Sequence, residues 1–104
     1  MNRGEVWWVE HPNRKRRPWL VLARQSAIPV MEKIVAVPAT SRVRHVPTEV
    51  PLGPEDGLPI ECVLSLDNIR PMRKAYFVDR ICALRPERMH DVCQALARVT
   101  ACSD

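Results

Sequence analysis

The sequence predicts a mainly β chain with one C-terminal helix (an α+β class): a small, strongly bent antiparallel sheet or barrel with the helix packed against it. Three observations predict it. Before residue 85, short runs rich in β-branched and aromatic residues alternate with proline and turn clusters. From residue 85 to 99 the apolar period changes to helical spacing. The length of 104 residues, 46% of them hydrophobic, suits one domain with a single modest core spanning residues 1–104.

The elements follow in order. "GEVWWVE" (4–10) reads as a first strand, and "HPNRKRR" as the loop after it. "PWLVLA" (18–23) is a second strand, where proline at the first position removes no ladder donor. "KIVAVPAT" (33–40) is a third, "SRVRHV" a connecting turn or ragged strand, and "TEVPL" (48–52) a short edge strand. "GPEDGLP" (53–59) is a turn cluster. "ECVLSLD" (61–67) alternates, with Cys62, Leu64 and Leu66 on one face and Val63, Ser65 and Asp67 on the other. "NIRPMRKAY" has room for no more than a helical turn, and "FVDRICAL" (77–84) closes the strand series. "RPERMHDVCQALARV" (85–99) sets Met89, Val92, Cys93, Leu96 and Val99 or Thr100 on one helical face, with Pro86 in the first turn where a missing amide is harmless.

The net charge of +4 is unevenly placed. Residues 1–45 carry nine Lys/Arg against three acids, and the remainder seven against nine. The densest run is "RKRRP" (14–18), at the mouth of a strand bound for the core. One surface facing a polyanion would explain such asymmetry, and so would plain solubility. Cys62, Cys82, Cys93 and Cys102 contain no C-x-x-C spacing and read as small buried residues, Cys102 being the most exposed. No apolar run reaches the roughly 18 residues of a membrane span, and the N-terminal segment lacks a signal peptide's apolar centre. A cytoplasmic protein without membrane association is expected.

Five segments in order, "RGEVWWVE", "RRPWLVLAR", "VAVPATS", "VLSLDNIRPM" and "MHDVCQAL", carry a resemblance over roughly residues 3 to 100. The chain resembles the MazF/PemK family of bacterial toxin endoribonucleases. That resemblance implies an SH3-like small barrel with a C-terminal helix, assembled as a homodimer. It also implies sequence-specific cleavage of single-stranded RNA (mRNA, or rRNA or tRNA) with no metal or cofactor. The expected products are 2′,3′-cyclic phosphate and 5′-hydroxyl ends, and the expected partner is a cognate antitoxin with an acidic C-terminal tail. A non-catalytic toxin or RNA-binding module on the same barrel, acting on a protein such as gyrase, is the alternative.

By the same resemblance Arg17, directly before the strand-opening proline, is the catalytic cation, and Thr40 of "PATS" is its hydroxyl partner. A guanidinium suits a bidentate grip on phosphate, and a hydroxyl can donate to an oxygen gaining charge. Ser41 could serve an adjacent phosphate, although Ser and Thr at strand ends also bond their own backbone. Arg14, Lys15, Arg16 and Arg42 would track the RNA backbone. Ser65 stands where some members carry an arginine two residues before the aspartate, while Asp67 is kept. Both are carried as substrate-binding candidates, Asp67 either meeting a base edge or capping a turn. His11 is the candidate for proton transfer or substrate contact, or else a solvent-exposed histidine before Pro12. Trp7, Trp8 and Trp19 offer stacking faces or, more simply, core.

Overall fold

The computed structural model describes residues 1–102. Seven strands form: β1 (Glu5–Val9), β2 (Arg17–Val21), β3 (Lys33–Thr40), β4 (Glu49–Leu52), β5 (Cys62–Ser65), β6 (Arg70–Arg73) and β7 (Phe77–Ala83). One helix, α1 (Pro86–Thr100), follows. All pairings are antiparallel, in the order β4-β5-β3-β2-β1-β7, with β6 joined to β3. The expected class holds, and the sheet bends without closing, so β4 and β7 remain ends.

β3 is the hub because it is long enough to hold two partners on one edge. Lys33–Ala36 pairs with β6 and Ala39–Thr40 with β5, while β2 lies along its other edge. Pro38, which has no amide to donate, falls between the two shared segments.

The central strand β2 is apolar without alternation because both of its faces are covered. Leu20 and Leu22 enter a cluster with Val6, Val37, Leu64 and Val92. Trp19, Val21 and Ala23 enter a second cluster with Val9, Ile34, Met72 and Phe77. The helix lies on the first cluster through Val92 and Ala95, with Met89, Leu96 and Val99 packed at its margins.

Several expectations need correction. "NIRPMRKAY" holds β6 and a 3₁₀ turn (Lys74–Tyr76), not a helical turn alone. Its short "RPMR" run buries only Met72, so it shows no alternation by itself; β3 supplies the missing ladder. Cys62–Ser65 is buried on both faces, whereas one-sided alternation was expected. Cys93 is exposed, because the buried stripe centres on Val92 and Ala95 and leaves it on the flank. Only Cys62 of the four thiols is buried, Cys82 is intermediate, and Cys102 is exposed as expected. Among the tryptophans Trp19 is core, while Trp7 and Trp8 are half-buried.

Two ionic contacts tie the sheet to its surroundings. Asp56, whose side chain is 1% exposed, caps the turn after β4 by accepting the Gly53 amide. The Arg88 guanidinium of α1 grips both of its oxygens at 3.1 and 3.5 Å and reaches Asp91 at 3.3 Å. The Asp56 hydrogen bond, followed by both carboxylates' charge, raises the Arg88 pKa against the burial that would lower it. Arg88 is thereby the clasp between helix and turn. The turn also needs Gly57: its φ is 101°, and a Cβ there would stand 2.6 Å from the Cys82 Cβ.

On the other side, buried Glu5 accepts from the Asn2 amide (2.8 Å), the Trp7 indole (3.0 Å) and Arg80 (3.0 Å). Burial alone would raise its pKa; those three donors outweigh burial and hold it below the ordinary 4.5.

Arg88→Ala strands the Asp56 carboxylate and is expected to lose about 3 kcal/mol in denaturant unfolding; a change within 0.5 kcal/mol would dismiss the clasp. Because the folded pKa of Glu5 is the lower one, its contribution is present above the unfolded value and fades as pH falls below about 4.5. Glu5→Gln is therefore expected to flatten the acid limb of stability against pH, measured by thermal melts from pH 7 downward.

Candidate active site

The β2–β3 register sets Trp19 opposite Pro38, Leu20 opposite Val37 and Val21 opposite Ala36. Continued two residues to the strand ends, it brings Arg17 beside Thr40. Residues directly opposite in an antiparallel pair share a face. Both side chains accordingly line one pocket of about 390 Å³, together with Ser41, Lys15, Arg16 and Trp8. Its far wall is apolar, built from Leu58, Pro59, Ile60 and Cys62. Arg17 also lines a second pocket of about 320 Å³, with His11, Arg14, Lys15, Asn68 and Arg70. No acidic residue among those described lines either space.

Arg17 is half-buried as the first residue of β2, and no carboxylate pairs with it among the described residues. The strand fixes its backbone, and its charge stays available to an incoming anion. The Thr40 oxygen accepts the Arg42 amide at 3.1 Å, which is the local turn bond common at strand ends. That bond uses a lone pair and leaves the hydroxyl hydrogen to donate, so turn chemistry and anion binding coexist in one side chain.

Arg16 differs from its neighbours. Glu10 lies 3.2 Å and Asp79 3.3 Å from its guanidinium, which stacks 4.7 Å from the Trp8 ring. Its charge is already matched, and it fastens the loop to β1 and β7. Arg14 and Lys15 are exposed and have no ion-pair partner among the described residues.

His11 is half-buried, with its ring 5.1 Å from Tyr76 in an edge contact at 71°. Its Nδ1 accepts the Asn13 amide at 3.0 Å, so a neutral ring carries its proton on Nε2 as a donor.

The remaining candidates do not join the two pockets. Arg42 is exposed just past Ser41. Ser65 is buried in β5, where its oxygen accepts from Asn68 at 2.8 Å. Asp67 is exposed and accepts from the Thr48 hydroxyl. Conversely, Asn68 and Arg70 line the pocket and escaped the sequence reading. A signal for Arg70 was present: "RP" at 70–71 repeats the strand-opening "RP" at 17–18.

Cys62 is the nucleophile-bearing residue in the apolar wall, yet its chemistry is suppressed. Burial above all, then the Asp56 charge and neighbouring Cys82, push its thiol up to about 11. Among the described residues no group of three or more His, Cys, Asp or Glu could hold a metal ion. No helix there is long and apolar enough to cross a membrane.

Residues 2–100 match the family described as PemK-like, MazF-like toxin of type II toxin–antitoxin system. The chain belongs to this family. Among PemK/MazF relatives, the probable endoribonuclease MazF5 of Mycobacterium tuberculosis is 37% identical over 102 residues, covering 97% of this chain and 94% of its own. The probable endoribonuclease MazF2 of the same species is 36% identical over 103 residues, covering 98% and 100%. A mycobacterial endoribonuclease solved with its cognate antitoxin superposes with a TM-score of 0.90 at 27% identity, covering 100% of this chain and 98% of that one. The bent sheet with a C-terminal helix is thus the PemK/MazF toxin fold, here with the Arg17–Thr40 pair at its β2–β3 mouth.

Thiol titration of this toxin separates its cysteines. Exposed Cys93 and Cys102 are expected to react with iodoacetamide at pH 8, while Cys62 resists until the pH approaches its pKa of about 11. Mass mapping of the alkylated peptides reads this directly, and rapid labelling of native Cys62 would refute its burial.

Proposed function

We propose that this toxin is an endoribonuclease that cleaves single-stranded RNA by turning the ribose 2′-hydroxyl on the adjacent phosphate. The O2′–P bond forms as the P–O5′ bond breaks. The 2′ proton leaves to a base, and the 5′ oxygen takes up a proton as it departs. The products are a 2′,3′-cyclic phosphate and a 5′-hydroxyl end. The nucleophile belongs to the substrate, so the protein need supply only in-line positioning, charge stabilisation and proton transfer.

The observation that carries the reading is the meeting of Arg17 and Thr40 in one pocket whose lining, among the described residues, contains no carboxylate. Arg17 grips the non-bridging phosphate oxygens as negative charge grows there, and the Thr40 hydroxyl donates to one of them. Ser41 lies against the next phosphate. His11 uses its Nε2 hydrogen toward a phosphate oxygen in the adjoining pocket. Arg14, Lys15 and Arg42 follow the backbone, and Arg16 holds the loop that carries them. Ser65 and Asp67 support the segment bearing Asn68, and Asp67 meets the strand outside the pockets. A pure binding module would need cations but not this hydroxyl–guanidinium pairing.

The mycobacterial relative solved with its cognate antitoxin supports an antitoxin as partner, and the family resemblance adds an acidic tail on that antitoxin, lying over the same cations, and a second copy of this chain. The RNA is messenger RNA in the first instance, since single-stranded segments reach an open groove most readily.

Purified toxin incubated with single-stranded RNA and EDTA is expected to yield fragments with cyclic-phosphate and 5′-hydroxyl ends. Arg17→Ala is expected to slow cleavage about 10²–10³-fold, and Thr40→Val about tenfold, with unchanged thermal melts. RNA left intact by the wild type would hand the reading to a toxin that acts by binding. Full activity in Arg17→Ala would remove the catalytic assignment.

A further inference from the structure

Past His11, the second pocket continues into a smaller cleft of about 140 Å³ along the β3–β6 edge. His11, Arg14 and Arg70 line both spaces. Lys33, Pro71, Met72, Arg73 and Tyr76 complete the cleft.

Three observations single it out. Four cations converge there (Arg14, Lys33, Arg70 and Arg73), no acid lines it, and none of the four has an ion-pair partner among the described residues. Lys33 and Arg73 are direct cross-strand partners, both exposed, one rung from the buried Ile34–Met72 pair. Like charges set directly opposite destabilise a sheet, so this pair makes sense when an anion lies between them. Finally, the edge-on contact of His11 and Tyr76 gives the cleft an aromatic flank within reach of a base.

We propose that this cleft is a second phosphate subsite for the RNA strand, holding the backbone of a nucleotide beyond the scissile one. The strand then runs from Arg17 and Thr40, past His11, to the forked cations of Lys33 and Arg73. This rests on the endoribonuclease reading. RNA fits better than an acidic peptide because the cleft is continuous with the pocket lined by Arg17 and pairs cations with an aromatic flank.

The test measures binding apart from cleavage. The probe is a fluorescent single-stranded 2′-O-methyl RNA of mixed sequence about ten nucleotides long, which cannot be cut because its nucleophile is blocked. The double variant Lys33→Gln, Arg73→Gln is expected to bind about 10–30-fold more weakly at low salt. The slope of log K against log salt is expected to shrink by about 0.7, the value for one phosphate contact to a single strand. The charge-preserving Lys33→Arg, Arg73→Lys variant should keep both affinity and slope. The thermal midpoint of the Gln variant should not fall, since a repulsion is removed. On cleavable RNA its KM should rise while kcat holds. Unchanged affinity and slope in the Gln variant overturn the subsite even if the wild type cuts RNA. So does a loss confined to an oligo-glutamate peptide, which would assign the cleft to an acidic polypeptide. A wild type that binds this RNA through Lys33 and Arg73 but cuts none keeps the subsite and removes the endoribonuclease reading instead.

Discussion

The pairing of β2 with β3 is the constraint on which the rest of the molecule depends. β2 and the residue after it carry Leu20 and Leu22 into one apolar cluster and Trp19 and Val21 into the other, so a slip of one residue would exchange its sides. Each exchanged side chain would meet a space shaped for another. Burial of such residues contributes about 1.5–3 kcal/mol apiece, which makes the register a strongly held quantity. Arg17 and Thr40 inherit their proximity from it. They sit at strand ends, outside the core, yet their relative position is set by the packing of residues that never touch a ligand.

The cations of the fold are used in two different ways. Three cations are matched by acids: Arg80 with Glu5, Arg88 with Asp56 and Asp91, and, at the edge of the pocket, Arg16 with Glu10 and Asp79. Along the β2 mouth and the β3–β6 edge, Arg14, Lys15, Arg17, Lys33, Arg70 and Arg73 have no acid partner among the described residues, and two of them confront each other across one rung. Exposed ion pairs contribute only about 0–1 kcal/mol each, so stability alone would exert little pressure to pair them. The unmatched group instead builds a field that draws polyanions, and Arg17 stands within it. Arg16 shows that position in the sequence does not decide membership: it is flanked by free cations and is itself bound.

Much of the fold was legible in the chain. The β-rich runs, the turn at 53–59 and the change of period at residue 85 each rest on local chemistry, and six strands and the helix followed within a residue or two. β6 was not legible, since "RPMR" has one inward side chain and derives its strand character from the edge of β3. The flank position of Cys93 was likewise hidden, because a helical stripe five residues wide does not reveal its own centre. In the site, Arg17 and Thr40 were readable from motifs at two strand ends. Asn68 was not, and Arg70 announced itself only through its repeat of "RP", because their relation to Arg17 passes through three strands distant in sequence.

By itself, then, the sequence determined the class of the fold, the extent of its helix, the excess of cations in its first half and the family to which it belongs. These are properties of composition, period and ordered motifs, each contained in a few neighbouring residues. Tertiary structure alone decided which cations are free and which are neutralised, that Asp56 and Arg88 clasp helix to turn, and that Lys33 confronts Arg73. Those are relations between residues dozens of positions apart. They exist only once strand register and packing have brought side chains within a few ångströms, where Coulomb and hydrogen-bond energies acquire their strength.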